Sequence, residues 1–409
     1  MMYDLIVIGA GPGGLIAAAE CAAAGLRVAV LEKNDQPGKK LLATGSGQCN
    51  LTHDLPLEQF SENYHEKTRY VRKVLYQFQP ETLCNYFEDL GVVLEVTRQG
   101  KVFPKSRKAS EILEALLKRL NAHGGAVIGK AAVTALRREA DHFVAETAGG
   151  PYTARRVLLA TGGCSYPALG TSGDGYGLAE SLGHHVVPVR PALASVKTVE
   201  TSLADLAGIS IQQAWVSQWR QNRKLKEYVG DLLFTHEGLS GPVILNNSRE
   251  FMAGDVLRIN LARAADEMSF TRGMGEHLNA YGKYTARKAL DYYDIPRRVM
   301  ERLLELSGIP LEMKCAEMTR AHRSALLKGL IALPLTLKEV GGYENAMVTA
   351  GGVATEEVRP GTMESRLVPG LHFAGEVLDV DGETGGFNLQ FAFSSGFAAA
   401  QAVIAALAS

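Results

Sequence analysis

Net charge is nearly absent from this sequence: 43 Lys and Arg face 44 Asp and Glu, a formal charge of -1 at pH 7. No global field therefore drives the chain onto nucleic acid or anionic membrane, which leaves only local patches for such work. Cysteine is sparse as well. Cys21, Cys49, Cys84, Cys164 and Cys315 are odd in number, scattered and never in a CxxC pair, which argues against a disulfide framework or a structural zinc site. No metal site is indicated, and a reducing cytosol, hence a cytoplasmic protein, fits best. No run of 18 or more uninterrupted apolar residues exists, so no segment is expected to span a bilayer. Met1 to Asp4 lead directly into Leu5 to Ile8, without the basic region, long apolar stretch and cleavage site of a signal peptide. Aromatics are only 7%, beside 46% hydrophobic and 21% charged residues. That balance is ordinary for a soluble globular enzyme and excludes a disordered or fibrous chain.

Glycine is the exception to this scarcity. The chain carries 43 glycines in 409 residues, about 10.5% against an average near 7%. They show no collagen-like period. Such an excess implies many places where backbone takes positive φ or approaches something closely.

A length of 409 residues suggests two or three domains at roughly 150 residues each. The first forty residues read as a βαβ unit. Leu5 to Ile8 is a short apolar run of the kind a doubly covered parallel strand shows. An alanine-rich helix from Leu15 to Ala24 is closed by Gly25, and Arg27 to Leu31 forms the next strand, with Glu32 at its end. Helical spacing over Leu55 to Leu90 and Ala109 to Ala122 is followed by β-like runs at Ala126 to Leu136, His142 to Thr147, Tyr152 to Ala154 and Val157 to Ala160. From about Pro191 to Leu261 apolar and polar residues alternate, as in half-buried antiparallel strands. Ala265 to Leu330 reads as helical, with a cap at Ser269 and a helix starting near Pro296. Near Gly341 the glycine-rich texture returns. The simplest organisation is a Rossmann-like α/β domain, a parallel sheet with a β-meander, over 1–190 and 343–409. It is interrupted at 191–342 by a β-barrel (about 191–262 and 331–342) and a helical part (about 263–330).

Gly9-Ala10-Gly11-Pro12-Gly13-Gly14 matches GxGxxG in the context that gives the motif meaning: a buried strand before it, a helix after it, and the acid Glu32 ending the next strand. Gly9 would permit the tight turn, Gly11 would let backbone approach a pyrophosphate, and Gly14 would allow close helix-strand packing, with Ala18 and Gly25 small on the same helix. The helix N-terminus presents free N-H groups to phosphates, and Glu32 suits ribose hydroxyls. No second GxGxxG follows a strand after Glu32. A nicotinamide nucleotide would therefore dock transiently. Further glycine turns recur at Arg156 to Gly163, at Gly370 to Glu376 and at Gly382 to Gly386 before an apolar helix, Phe391 to Leu407. Their spread suggests several strands converging on one long ligand.

Tyr3 to Glu32, the turn Ala160 to Gly163 and the stretch Gly370 to Glu376 resemble the glutathione reductase-like flavoproteins. More specifically, Gly38 to His53, Val102 to Leu113, Leu232 to Pro242, Val348 to Val353 and Thr362 to Gly396 resemble the BaiN/RdsA family of NAD(P)/FAD-dependent oxidoreductases. The resemblance implies bound FAD and NAD(P)H as a transient reductant. It implies flavin contacts from Gly9, Gly11, Pro12, Gly13, Gly14, Glu32 and Lys33 in the first βαβ unit. The loop residues Lys40, Leu41, Gly45, Gly47, Cys49 and Asn50 would follow, then Val133, Thr161 and Gly162, then Gly375 and Glu376, and finally Gly386, Phe387, Asn388, Leu389 and Gln390. The family usually has Arg at Gln48 and often Asn at His53, which puts in doubt any role needing a cation at Gln48.

Two catalytic candidates stand out. Cys49, between Gly47 and Asn50, could donate a proton beside the flavin or simply pack there. His236, in the segment Phe234 to Pro242, suits a general acid because imidazole titrates near neutrality; alternatively it orients a corner where Ser240 caps a helix starting near Pro242. Arg98 to Lys108 and Arg220 to Lys226 are basic, with Phe103, Trp215 and Trp219 interleaved, a composition suited to RNA. The family resemblance implies reduction of a carbon-carbon double bond conjugated to a carbonyl. Uridine in ribosomal RNA, giving dihydrouridine, is preferred over a small enone such as a bile acid intermediate. A flavin oxidase acting on a small amine with dioxygen, and a flavin-bearing RNA assembly factor, are the alternatives.

Overall fold

The computed structural model describes residues 2–408, which fall into two compact units, 2–192 with 343–408 and Leu193–Gly342. In the first unit the strand Met2–Ile8 lies parallel between Val28–Leu31 and Gly150–Leu159. Leu5 to Ile8 are all buried. A strand covered on both faces has no exposed side on which to place polar residues, so its sequence is apolar throughout. Ala126–Ile128 extends the parallel sheet beyond Val28–Leu31. The long strand Gly150–Leu159 serves two partners. Its first half pairs antiparallel with His142–Thr147, and its second half pairs parallel with Leu371–Phe373.

That division corrects two sequence readings. Ala126 to Leu136 is two strands, Ala126–Ile128 and Val133–Glu139, belonging to the parallel sheet and the meander respectively. The runs at Tyr152 and Val157 are instead one strand.

Helices Pro12–Ala23 and Phe387–Ala408 pack together on the sheet. The second starts four residues before the expected Phe391 and is long and apolar enough to cross a membrane, yet 56% of its most apolar window is buried inside the unit. Its composition follows from that core position. Gly25 does not face the sheet as expected, for a Cβ there would meet nothing within 4 Å; its service is φ +84 after the helix end.

In the second unit six strands close into a barrel. Alternate residues such as Ile211, Ala214, Val216, Leu257, Ile259, Leu335 and Leu337 fill its core. Four helices follow the strand Val256–Asn260 in sequence: Glu267–Ala280, Ala286–Leu290, Arg297–Leu306 and Arg320–Ala332. Pro191 and Ala192 lie in the strand Val186–Ala192, paired with Val348–Val353 in the first unit, so the inserted unit begins at Leu193. Capping also differs from expectation. Asp266, not Ser269, caps the first of these helices by accepting from the Ser269 amide at 2.8 Å. The short helix Pro242–Leu245 is preceded by Gly241 at φ +88, with no side-chain cap from Ser240.

Candidate active site

A cavity in the first unit holds about 1340 Å³ of space, its open mouth included, and runs from the glycine loop to the start of the C-terminal helix. Gly9, Gly11, Pro12, Gly13, Glu32, Lys33, Lys40, Leu41, Val133, Thr161, Gly162, Gly375, Glu376, Asn388 and Leu389 line it. These residues come from seven separate stretches of sequence.

The glycine loop is shaped by clashes a side chain would make. Gly9 takes φ +104, and a Cβ on it would lie 2.5 Å from the Ala160 carbonyl oxygen. At Gly14 a Cβ would lie 2.2 Å from the Gly9 carbonyl. Gly11 differs: the nearest atom to a Cβ is 4.0 Å away, so the space beside it belongs to the cavity. Pro12 occupies the first helical turn, where its missing N-H costs no hydrogen bond. The first amides of this helix have no partner within the helix and carry partial positive charge.

Glu32 ends the second strand, buried, with both carboxylate oxygens fixed. Oε2 accepts from the Ala10 amide at 2.9 Å, while Oε1 accepts from the Asn34 amide and its side-chain Nδ2 at 2.8 Å each. The acid is thereby braced against the loop it serves. Lys33 pairs with Asp174. Burial works to raise the Asp174 carboxyl, but hydrogen bonds from Lys33 and Ser172 outweigh it and hold it below the usual range.

Farther along, Lys40 Nζ donates to Glu376 Oε2 at 2.5 Å and to Ser165 Oγ at 2.6 Å. Glu376 Oε1 in turn accepts from Ser165 Oγ and from the Thr349 amide, at 2.9 and 2.8 Å. Ser165 and Thr349 went unnoticed in the sequence. Their signal is position: a single residue separates Ser165 from the glycine pair before it and Thr349 from the glycine pair after it. Asn34 was missed in the same way, two residues past a conspicuous acid.

At the distal end, Asn388 holds the loop before the C-terminal helix, its Oδ1 accepting from the Gly382 amide and its Nδ2 donating to the Gly382 carbonyl, both at 2.8 Å. Gly386, at φ +99, sits where a Cβ would lie 2.7 Å from the Thr52 backbone. The His53 ring stacks on Phe387 at 5.7 Å. Among these packed residues Asn50 Oδ1 and His53 Nδ1 are buried without a hydrogen-bond partner.

Gly14, Gly45, Gly47, Cys49, Asn50, Gly386, Phe387 and Gln390 do not line the cavity. Gln390 is committed elsewhere, donating to the Phe78 carbonyl at 3.0 Å and accepting from Thr52 Oγ1 at 2.6 Å. Cys49 is buried at φ +58, and burial pushes its thiol up to about 12. His236 lies exposed in the turn between strands Arg223–Phe234 and Gly238–Ser240 of the inserted unit.

The cradle at Gly11, the braced Glu32 and the cavity that joins them to Asn388 suit an extended dinucleotide such as FAD. The family description "HI0933-like protein Rossmann domain" matches residues 3–402. The chain belongs to the HI0933-like family. It is an FAD-dependent oxidoreductase. Within this family, the 3-dehydro-bile acid delta(4,6)-reductase of Clostridium scindens is 34% identical over 98% of this chain and 99% of its own length. The ribosomal RNA dihydrouridine synthase of Escherichia coli is 32% identical over 100% of this chain and 99% of its own. Among solved structures, the 3-ketosteroid delta1-dehydrogenase of Sterolibacterium denitrificans aligns with a TM-score of 0.54 at 14% identity, covering 99% of this chain and 100% of that one. At that identity the likeness is one of fold.

Proposed function

We propose that this HI0933-like chain reduces a carbon-carbon double bond conjugated to a carbonyl, using NAD(P)H, and that its substrate is uridine in ribosomal RNA. The single cavity that joins the glycine loop, Glu32, Lys40, Glu376 and Asn388 carries the reading. Both full-length relatives named above support it, since a uracil ring and a dienone each present an alkene polarised by a carbonyl. Bound in the cavity, FAD would supply the hydride chemistry. The protein's own residues bind and orient. Glu32 would hold ribose hydroxyls, the amides of the helix from Pro12 would face phosphate, and the N-terminus of Phe387–Ala408 would favour negative charge.

Conjugate reduction also needs a proton at the carbon beside the carbonyl. We propose His236 as that donor on the acid-base chemistry of its imidazole alone. Cys49 is unsuited to it, because a thiol raised to about 12 surrenders its proton reluctantly. The stretch Arg98 to Lys108 supports RNA as substrate: Lys101–Pro104 pairs with Thr52–His53, placing this basic segment directly on the loop that packs against Gly386. Arg107 is neutralised by Glu95 and stacks on Phe103, while Arg98, Lys105 and Lys108 stay exposed. The other basic stretch is weaker than its composition implies, because Asp255 pairs with Arg220 and Glu227 with Lys224. Such a substrate would place the reaction in the cytoplasm.

A small enone is the second reading, favoured by the reductase relative. Mass mapping of ribosomal RNA from a deletion strain separates the two. Loss of a dihydrouridine is the expected result, and an unchanged pattern would refute uridine as the substrate.

A further inference from the structure

The inserted unit carries an aromatic surface that the proposed chemistry does not use. Four of the chain's 14 tyrosines, Tyr281, Tyr284, Tyr292 and Tyr293, fall within thirteen residues. Three of them are exposed, Tyr281 by 39%, Tyr284 by 48% and Tyr292 by 78%. Large apolar rings left open at that level are not placed there by core packing. Nor are they independent of one another. His277 stacks on Tyr281 at 4.5 Å with the rings 27° apart and approaches Tyr292 at 5.3 Å, while Tyr281 meets Tyr284 at 5.6 Å. His277 itself is anchored through Nε2 to the Ala289 carbonyl at 2.6 Å. The rings thus form one braced cluster.

Cations surround it. From 277 to 298 the sequence holds Lys283, Arg287, Lys288, Arg297 and Arg298 against only Asp291 and Asp294. Glu301 takes up Arg287 and Arg297, whereas Lys283 and Lys288 are exposed. The Lys288 ammonium sits 4.6 Å from the centre of the Tyr284 ring. Stackable rings beside exposed lysines are what single-stranded RNA requires: each base has a π-face to lay on a ring, and each phosphate needs a cation. A protein partner would find less here to exclude water, because the patch is interrupted by charge rather than rimmed by it.

We propose that Tyr281, Tyr284 and Tyr292, with Lys283 and Lys288, form a docking surface for single-stranded RNA on the inserted unit. The proposal deepens the RNA reading given above and rests on it. The test measures binding of a uridine-rich single-stranded RNA to the FAD-loaded protein by fluorescence anisotropy, alongside the rate at which NAD(P)H bleaches the flavin. Substituting Tyr281, Tyr284 and Tyr292 together by alanine should weaken RNA binding at least about tenfold, since each lost stack is individually substantial, while bleaching stays unchanged. Replacing the same three by phenylalanine should keep affinity within about twofold. The single change Tyr292→Ala, at the most exposed ring, gives a smaller loss in a protein whose fold is undisturbed. K283Q with K288Q should lower the slope of log affinity against log salt by about 1.4. Wild-type protein that binds RNA and alanine variants that bind it equally well would overturn the surface assignment alone, even if those variants lost self-association. Wild-type protein that binds no RNA would overturn the RNA reading and this surface with it.

Discussion

A Cβ on Gly396 would lie 2.1 Å from the carbonyl oxygen of Gly13, so the C-terminal helix crosses the glycine-loop helix at a distance only glycine allows. Gly13 needs the same freedom, since its own Cβ would lie 2.8 Å from the Ala392 carbonyl. Two cavity walls are thereby locked to each other by backbone contact. Gly396→Val should cost about 1–3 kcal/mol in stability and reduce FAD content on purification. Thermal melts and the ratio of flavin to protein absorbance check it; a variant with wild-type melting and full flavin would contradict the crossing.

Glu32 is braced by Ala10 and Asn34, and its loss should act on the cofactor before the fold. Glu32→Gln keeps the volume but replaces one acceptor oxygen by a donor facing an amide. FAD affinity of the apoprotein should fall roughly 10- to 100-fold, as expected when a hydrogen bond to a charged group is removed. Fluorescence quenching titration measures it, and an unchanged dissociation constant would show that the carboxylate does not serve the ribose.

The glycine loop, the strand before it and Glu32 were legible because backbone clashes leave no residue but glycine at Gly9 and Gly14, so local sequence reports local geometry. The network of Lys40, Ser165, Thr349 and Glu376 was not legible as a network. Its members are up to 336 positions apart, and nothing in any one segment announces the others. Gln390 is expected as a flavin contact from the family resemblance; in the structure its amide donates to the Phe78 carbonyl and accepts from Thr52, partners more than 300 positions away in sequence. Nor does the basic stretch at Arg220 announce the counterion of Arg220, Asp255, which lies 35 residues away in sequence.

Cys21 and Cys49 are both buried, and burial pushes both thiols up to about 12. In the unfolded chain a thiol ionises near 8.5. The neutral form that folding favours contributes stability that is complete below the unfolded value and lost as pH rises through the folded one. Stability should therefore fall from about pH 8 towards pH 11, less steeply in a C21A/C49A double variant measured against its own value at pH 7. At pH 8 neither thiol should react with iodoacetamide in the native protein, as peptide mass spectrometry would show. Prompt labelling of Cys49 would contradict its burial.

His236→Gln distinguishes a proton donor from a corner residue. The side chain is exposed in a turn, so melting should shift by no more than about 0.5 kcal/mol. FAD binding and flavin bleaching by NAD(P)H should be retained. Turnover onto the substrate should drop about 10²- to 10⁴-fold, the usual contribution of a general acid. Full turnover would remove His236 from the chemistry.

The central claim is transfer of reducing equivalents from NAD(P)H to an alkene conjugated to a carbonyl. The most direct measurement is anaerobic sequential mixing: the FAD-loaded protein is first bleached with NADH or NADPH, then mixed with a ribosomal RNA fragment while the flavin band is followed. The account predicts rapid bleaching, return of the oxidised band on adding RNA, and a uridine in the product heavier by two hydrogens. Failure of both nicotinamide nucleotides to bleach the flavin, with bleaching by a small amine instead, would contradict it.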